Sequence, residues 1–123
     1  MRTSLSDSTV LGIRVSSVEV TAGVMTFFTS DGDVSVQCAD GSNLIRLLDA
    51  INPAVLSRKR DAIHSGSAGF SFFFGPHLYR RCPRVIVTKA ASPTEFEVSA
   101  ADEILMRLSE ADAMAIVRIA PEH

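Results

Sequence analysis

Between Val10 and Cys38 apolar residues alternate with polar ones, and turn residues interrupt the alternation twice. Such a stretch is suited to antiparallel strands and little else, because successive side chains of a strand point to opposite faces. Ile13 and Val15 share one face while Val18 and Val20 share the other, so the pattern places a bulge near Ser16-Ser17, where one extra residue resets the phase. Thr21-Ala22-Gly23 supplies a turn, Val24 to Thr29 a strand apolar on both faces, and Asp31-Gly32 a hairpin. Val34, Val36 and Cys38 then face inward and Asp33, Ser35 and Gln37 outward. The expectation is a three-stranded meander with its second strand in the middle. The Ser-rich residues 1–9 ahead of it read as a flexible, frayed end.

Beyond Cys38 the period changes. Leu44, Ile45, Leu47, Leu48 and Ile51 mark one face of a helix opening at Gly41-Ser42, with Arg46 and Asp49 turned to water. Asn52-Pro53 ends it and can cap a second helix, which predicts an αα-hairpin running to about Ile63. Phe70 to Phe74 predicts a short strand with Phe70, Phe72 and Phe74 on one side and Phe73 on the other. Val85-Ile86-Val87 predicts a further strand, and so does the alternation of Phe96 and Val98 with Glu95 and Glu97. Ser99 followed by Asp102 and Glu103 has the form of a helix start, with Ile104, Leu105 and Leu108 as its buried stripe. Ala115, Val117 and Ile119 alternate as in a last strand, although Ser109 followed by Asp112 is a competing helix cap. Residues 10–123 therefore predict a single α+β domain: a mostly antiparallel sheet with the αα-hairpin and a C-terminal helix packed on one side.

At 123 residues and 46% hydrophobic content the chain can build its own core without metal or disulfide support. It holds no apolar run of about 18 residues and no leader-like start, which predicts a cytoplasmic protein that does not enter a membrane. In that setting Cys38 and Cys82 are expected as reduced thiols.

Charge is sharply segregated. Residues 51–91 carry seven Lys or Arg against the single acid Asp61, whereas both flanks are acidic and the whole chain has a net charge of −2. With a pI near 5.9 the chain has no basic excess spread widely enough to coat duplex DNA. The anion expected here is small or locally presented.

Two clusters make up the basic region. In the first, Arg58, Lys59, Arg60 and His64 precede Ser65-Gly66-Ser67-Ala68-Gly69, where glycines would let the backbone approach an oxyanion and Ser67 would donate. The plainer account is that the cations complement a helix C-terminus and Gly66 stops the helix. In the second, His77, Tyr79, Arg80, Arg81 and Arg84 combine guanidinium forks with rings that can stack on a base. Their plainer role is to guard the uncharged Phe70–Phe74 strand against aggregation.

Catalytic signals are weak. Cys82 lies among arginines that would favour a thiolate if it were exposed, but no base is visibly paired with it. The sequence contains no nucleophile triad motif, GxGxxG or Walker loop, and its histidines and cysteines lack metal-ligand spacing. No catalytic residue, metal ligand or cofactor is assigned.

The reading that follows is a small non-enzymatic binding protein that takes up a phosphate-bearing small molecule such as a cyclic or signalling nucleotide. Its binding residues are Arg58, Arg60, His64, Gly66, Ser67, Gly69, His77, Tyr79, Arg80, Arg81 and Arg84. An outward Phe73 beside Leu78 and Tyr79 adds the expectation of a homo-oligomer. The alternative is an interaction module, of the immunity or inhibitor type, whose basic surface masks an acidic protein partner.

Overall fold

A computed structural model describes residues 1–21, 23–41, 44–53, 60–64, 69–89 and 95–120. The chain is an α+β domain in which two helices pack on one large antiparallel sheet. Eleven strands form that sheet: β1 (Arg2–Ser4), β2 (Thr9–Val10), β3 (Ile13–Val20), β4 (Val24–Thr29), β5 (Gly32–Cys38), β6 (Arg60–His64), β7 (Phe70–Phe74), β8 (His77–Cys82), β9 (Arg84–Lys89), β10 (Glu95–Ala100) and β11 (Glu103–Ser109). Helix α1 spans Ile45–Ala50 and α2 spans Glu110–Ile119. The strands follow the order β6-β9-β10-β11-β2-β3-β4-β5-β7-β8, with β1 pairing β3.

The expected meander is present, with β4 between β3 and β5. Its bulge lies where the phase change places it: Val15 faces Thr29 but Ser17 faces Phe28, so Ser16 is the extra residue. Val15 and Val18 are thereby both buried while Ser16 stays at the surface, its hydroxyl donating to the Phe28 carbonyl.

Residues 1–9, which read from sequence as a frayed end, contribute with Val10 two short strands that pair along β3. A turn at Leu11-Gly12, with φ 51° and 77°, reverses the chain between them and β3. Arg2 secures the ladder from outside, donating to the Ser17 hydroxyl at 3.0 Å while its guanidinium lies 3.9 Å from the centre of the Phe28 ring. These are long-range partners, and no local sequence pattern announces them.

Helix α1 has the expected faces: Leu44, Leu47, Leu48, Ala50 and Ile51 are buried, and Arg46 and Asp49 are exposed. The second helix expected up to Ile63 is corrected at its end. Residues 60–64 form β6, with Ile63 opposite Val85 on β9 and both side chains buried. The rest of that helix, 54–59, lies outside the described residues.

The C-terminal third reverses the expected order of helix and strand. Residues 99–108 belong to a β10–β11 hairpin that turns at Ala101-Asp102, with Ala101 at φ 52°. Val98 faces Met106 and Ser99 faces Ile104, so Leu105 is bulged and both Leu105 and Met106 are buried. That doubled burial imitates the stripe of a helix. Residues 113–119, where alternation favours a strand, lie within α2. Ser109 caps it, accepting from the Asp112 N–H at 3.1 Å, with Glu110 and Asp112 in the first turn and Arg118 in the last. Ala113 and Ile116 are its buried apolar residues, three apart as a helix requires.

Asp112 is 3% exposed yet charged. Its carboxylate accepts from the backbone N–H of Ser6 and Asp7 and, at 2.6 Å, from the Ser8 hydroxyl. Burial pushes its pKa upward, but the Ser8 hydroxyl and the Asp7 and Ser6 N–H groups outweigh it and hold the carboxyl below its ordinary value. Helix α2 is thus fastened to the N-terminal segment.

Candidate functional site

Strand β7 lies between β5 and β8, with Phe70 and Phe72 buried and Phe74 packed against the core. Phe73 projects from the other face and is half-buried. Gly75-Pro76 turns the chain into β8, which carries the second basic cluster as a strand that sequence periodicity did not reveal. Cys82-Pro83 then delivers the chain into β9. The sheet does not pair β8 with β9, so the connection forms a corner where the end of β8, the start of β9 and the β10–β11 turn meet.

A cleft of about 200 Å³ occupies that corner, lined by Arg80, Arg81, Cys82, Pro83, Arg84, Ala100 and Ala101. The two alanines leave its far wall without long side chains. Three guanidinium groups border it, but they are not equivalent. Arg80 donates to Glu103 at 2.8 Å and lies 3.7 Å from Asp102, both from the β10–β11 turn. Arg81 and Arg84 are exposed and have no ion pair or hydrogen-bond partner among the described residues. They are the cations available to an incoming anion.

A bulge explains the Arg80 contact. Phe72 faces Arg80 and Phe73 faces Leu78, which leaves Tyr79 as the extra residue of β8. Consecutive strand residues ordinarily point apart, but here Tyr79 and Arg80 both reach Glu103, the tyrosine donating through its hydroxyl. The Tyr79 hydroxyl, followed by Arg80, holds the Glu103 carboxyl below its ordinary value, and the same bond raises the pKa of Tyr79. These side chains bridge β8 to the β10–β11 turn where no backbone ladder does.

The remaining expected site residues, with Gly69, fall into four groups. Arg58, Gly66 and Ser67 lie outside the described residues. His64 and Arg60 are on β6, with His64 opposite Arg84 and Arg60 opposite Thr88. His77 opens β8 at the far end from the cleft and is exposed.

Gly69 has a structural task. Its φ is +81°, and a Cβ there would lie 2.1 Å from the Cys82 carbonyl oxygen and 2.7 Å from the Pro83 Cα. Its carbonyl accepts from the Ala39 N–H at 2.8 Å. The residues bracketing 65–68 therefore both stand at the corner: His64 beside Arg84, and Gly69 against Cys82-Pro83.

Cys82 borders the cleft but is only 1% exposed, and burial raises its thiol pKa against the opposing pull of Arg80. It does not have the exposed thiolate a nucleophile needs. Cys38 and Cys82 both flank Phe70, one on each neighbouring strand, which sets them two strand spacings apart at about 10 Å. That is too far for a disulfide, and both side chains are thiols. A thiol reagent such as dithionitrobenzoate is expected to label neither in the native protein and both in urea; fast native labelling of Cys82 would contradict this packing.

Electrostatics separates this corner from a second cleft of about 210 Å³ lined by Thr9, Gly12, Ile104, Leu105, Met106 and Arg107. The cation there, Arg107, is already paired with Glu97 at 3.0 Å. Among the described residues no three His, Cys, Asp or Glu side chains converge as a metal site would require. No helix of the described residues is long and apolar enough to cross a membrane. No protein-family model, curated protein or solved structure matches the chain.

Proposed function

We propose that the protein binds a small phosphate-bearing molecule at the β8–β9 corner, in a cytoplasmic and non-enzymatic role. The observation that carries this reading is the cleft edged by Arg81 and Arg84, two guanidinium groups with no acidic partner among the described residues. Guanidinium forks match phosphate oxygens two at a time, and a partly enclosed site strengthens the attraction. The cleft is smaller than the roughly 300–1,000 Å³ of sites that enclose a whole ligand. It suits a phosphate group, with the rest of a nucleotide lying outside over the exposed Tyr79 ring. Arg80, engaged by Glu103, acts as a fixed wall of the site.

Thermal unfolding tests the proposal, followed by circular dichroism because the chain has no tryptophan. The panel is inorganic phosphate, linear and cyclic nucleotides, polyphosphate and short RNA. A ligand at a hundred times its dissociation constant contributes about 2.7 kcal/mol, a rise of roughly 10 °C for a domain of this size. The double variant Arg81→Glu/Arg84→Glu is expected to keep its own midpoint within about 2 °C of the parent, since both side chains are exposed, and to lose the ligand-induced rise. No shift with any member of the panel, or an undiminished shift in the double variant, would remove this reading.

A further inference from the structure

The sheet path ends on β8, whose only ladder among the described residues is with β7. Among the described residues no backbone hydrogen bond reaches the outer side of His77–Cys82. A free strand edge offers a row of donors and acceptors to any extended chain. Beside that edge stand Leu78 and Tyr79, 52% and 46% exposed, large apolar side chains that this fold leaves uncovered.

Charge identifies the occupant. No Asp or Glu occurs between Asp61 and Glu95, so every charged residue on β7, β8 and β9 is basic. Edge charges ordinarily guard against pairing with other chains, but guards of a single sign are selective. A second copy laid on this edge would bring another unpartnered Arg81 into the same strand pair, where like charges repel. An acidic strand would meet Arg81, which has no partner of its own, while Glu103 is already occupied by Tyr79 and Arg80.

From the free backbone edge, the exposed Leu78 and Tyr79 and the one-signed charge, we infer that β8 is a docking edge for an extended acidic segment of a partner protein, bound by strand addition. Backbone hydrogen bonds supply affinity in this mode and the alternating side chains supply selection. The inference rests on the backbone edge of β8 and not on phosphate binding, but it shares Arg81 with the neighbouring cleft and Tyr79 with the nucleotide placed over it, so a phosphate-bearing ligand and an acidic segment would compete for them.

The probe is a fluorescein-labelled peptide of about ten residues alternating glutamate and valine, read by fluorescence anisotropy at low salt. Two controls accompany it: the lysine-valine counterpart, and the acidic peptide N-methylated at alternate backbone nitrogens. The acidic peptide is expected to bind and to slow amide hydrogen exchange within His77–Cys82. N-methylation and Leu78→Glu are each expected to weaken binding by about tenfold or more. Leu78 is exposed, so this variant should keep the parent circular dichroism spectrum and the phosphate response. Equal binding of the N-methylated or lysine peptide would overturn the inference, and so would no binding at all. Elution as a dimer whose β8 amides are protected before any peptide is added would assign the edge to a second copy instead.

Discussion

Replacing Gly69 with alanine is expected to destabilise the protein by about 4 kcal/mol, among the largest effects of any single substitution in the chain. Two costs combine. A side chain at φ +81° carries a left-handed penalty of roughly 1–2 kcal/mol. The added Cβ would also fall 2.1 Å from a main-chain oxygen, and a backbone atom cannot rotate away as a side chain can. The β7 and β8 ends must separate, which strains the buried Phe70 and Cys82 beside them. Gly12→Ala is the matched control: its φ is +77°, but nothing lies within 4 Å of its Cβ position, so only the conformational penalty applies. Urea unfolding followed by circular dichroism should show a much lower midpoint for Gly69→Ala than for Gly12→Ala, with similar slopes. Equal midpoints would mean that Cys82-Pro83 does not press against Gly69. Because the same contact shapes the cleft, Gly69→Ala should also weaken phosphate binding in whatever fraction remains folded.

The second large effect is expected at Asp112. Asp112→Ala removes the acceptor shared by the Ser6 and Asp7 N–H groups and the Ser8 hydroxyl, at a cost of about 3 kcal/mol. Asp112→Asn keeps one oxygen and the volume, so its cost should be about half as large. The loss should be local before it is global: hydrogen exchange is expected to accelerate first in residues 2–10, which the carboxylate fastens to α2. The pH dependence follows from the lowered pKa. Above the ordinary value of 3.8 the carboxylate is ionised in both the folded and unfolded chain, and its stabilisation is complete. As pH falls below 3.8 the unfolded chain takes up the proton first, and the stabilisation disappears as pH passes through the lower native value. Asp112→Asn should therefore flatten the fall in stability below about pH 4. An unchanged acid limb would assign the clamp's stabilisation to something other than the ionised carboxylate.

Both positions show how sequence signals divide. Gly69 reads locally as part of a phosphate loop, and nothing near it in sequence hints that Cys82-Pro83 presses against it. Asp112 was visible only as one residue of a competing helix cap, since its partners are more than a hundred residues away in sequence. From sequence Arg80 reads as a phosphate ligand alongside Arg81 and Arg84, but the bulge at Tyr79 turns it to Glu103. A bulge in a strand without regular alternation cannot be located from that strand alone. The bulge in β3 was legible because apolar residues on either side of it keep a strict period of two.

The sequence by itself determined the features that depend on neighbours a few residues apart: the β3–β4–β5 meander, the buried face of α1, the side preferences of the Phe70–Phe74 strand, and the separation of a basic middle from acidic flanks. Tertiary structure decided wherever two local patterns were nearly balanced. Residues 60–64 became a strand because β9 offers Ile63 a buried position opposite Val85. Residues 99–108 became a hairpin because a bulge buries Leu105 and Met106 together. Residues 110–119 became a helix because the Ser109 cap and the Asp112 clamp act at the same end. Local preferences amount to tenths of a kcal/mol per residue, whereas a buried side chain or a satisfied buried carboxylate contributes roughly 1–3 kcal/mol, so long-range contacts decide such cases.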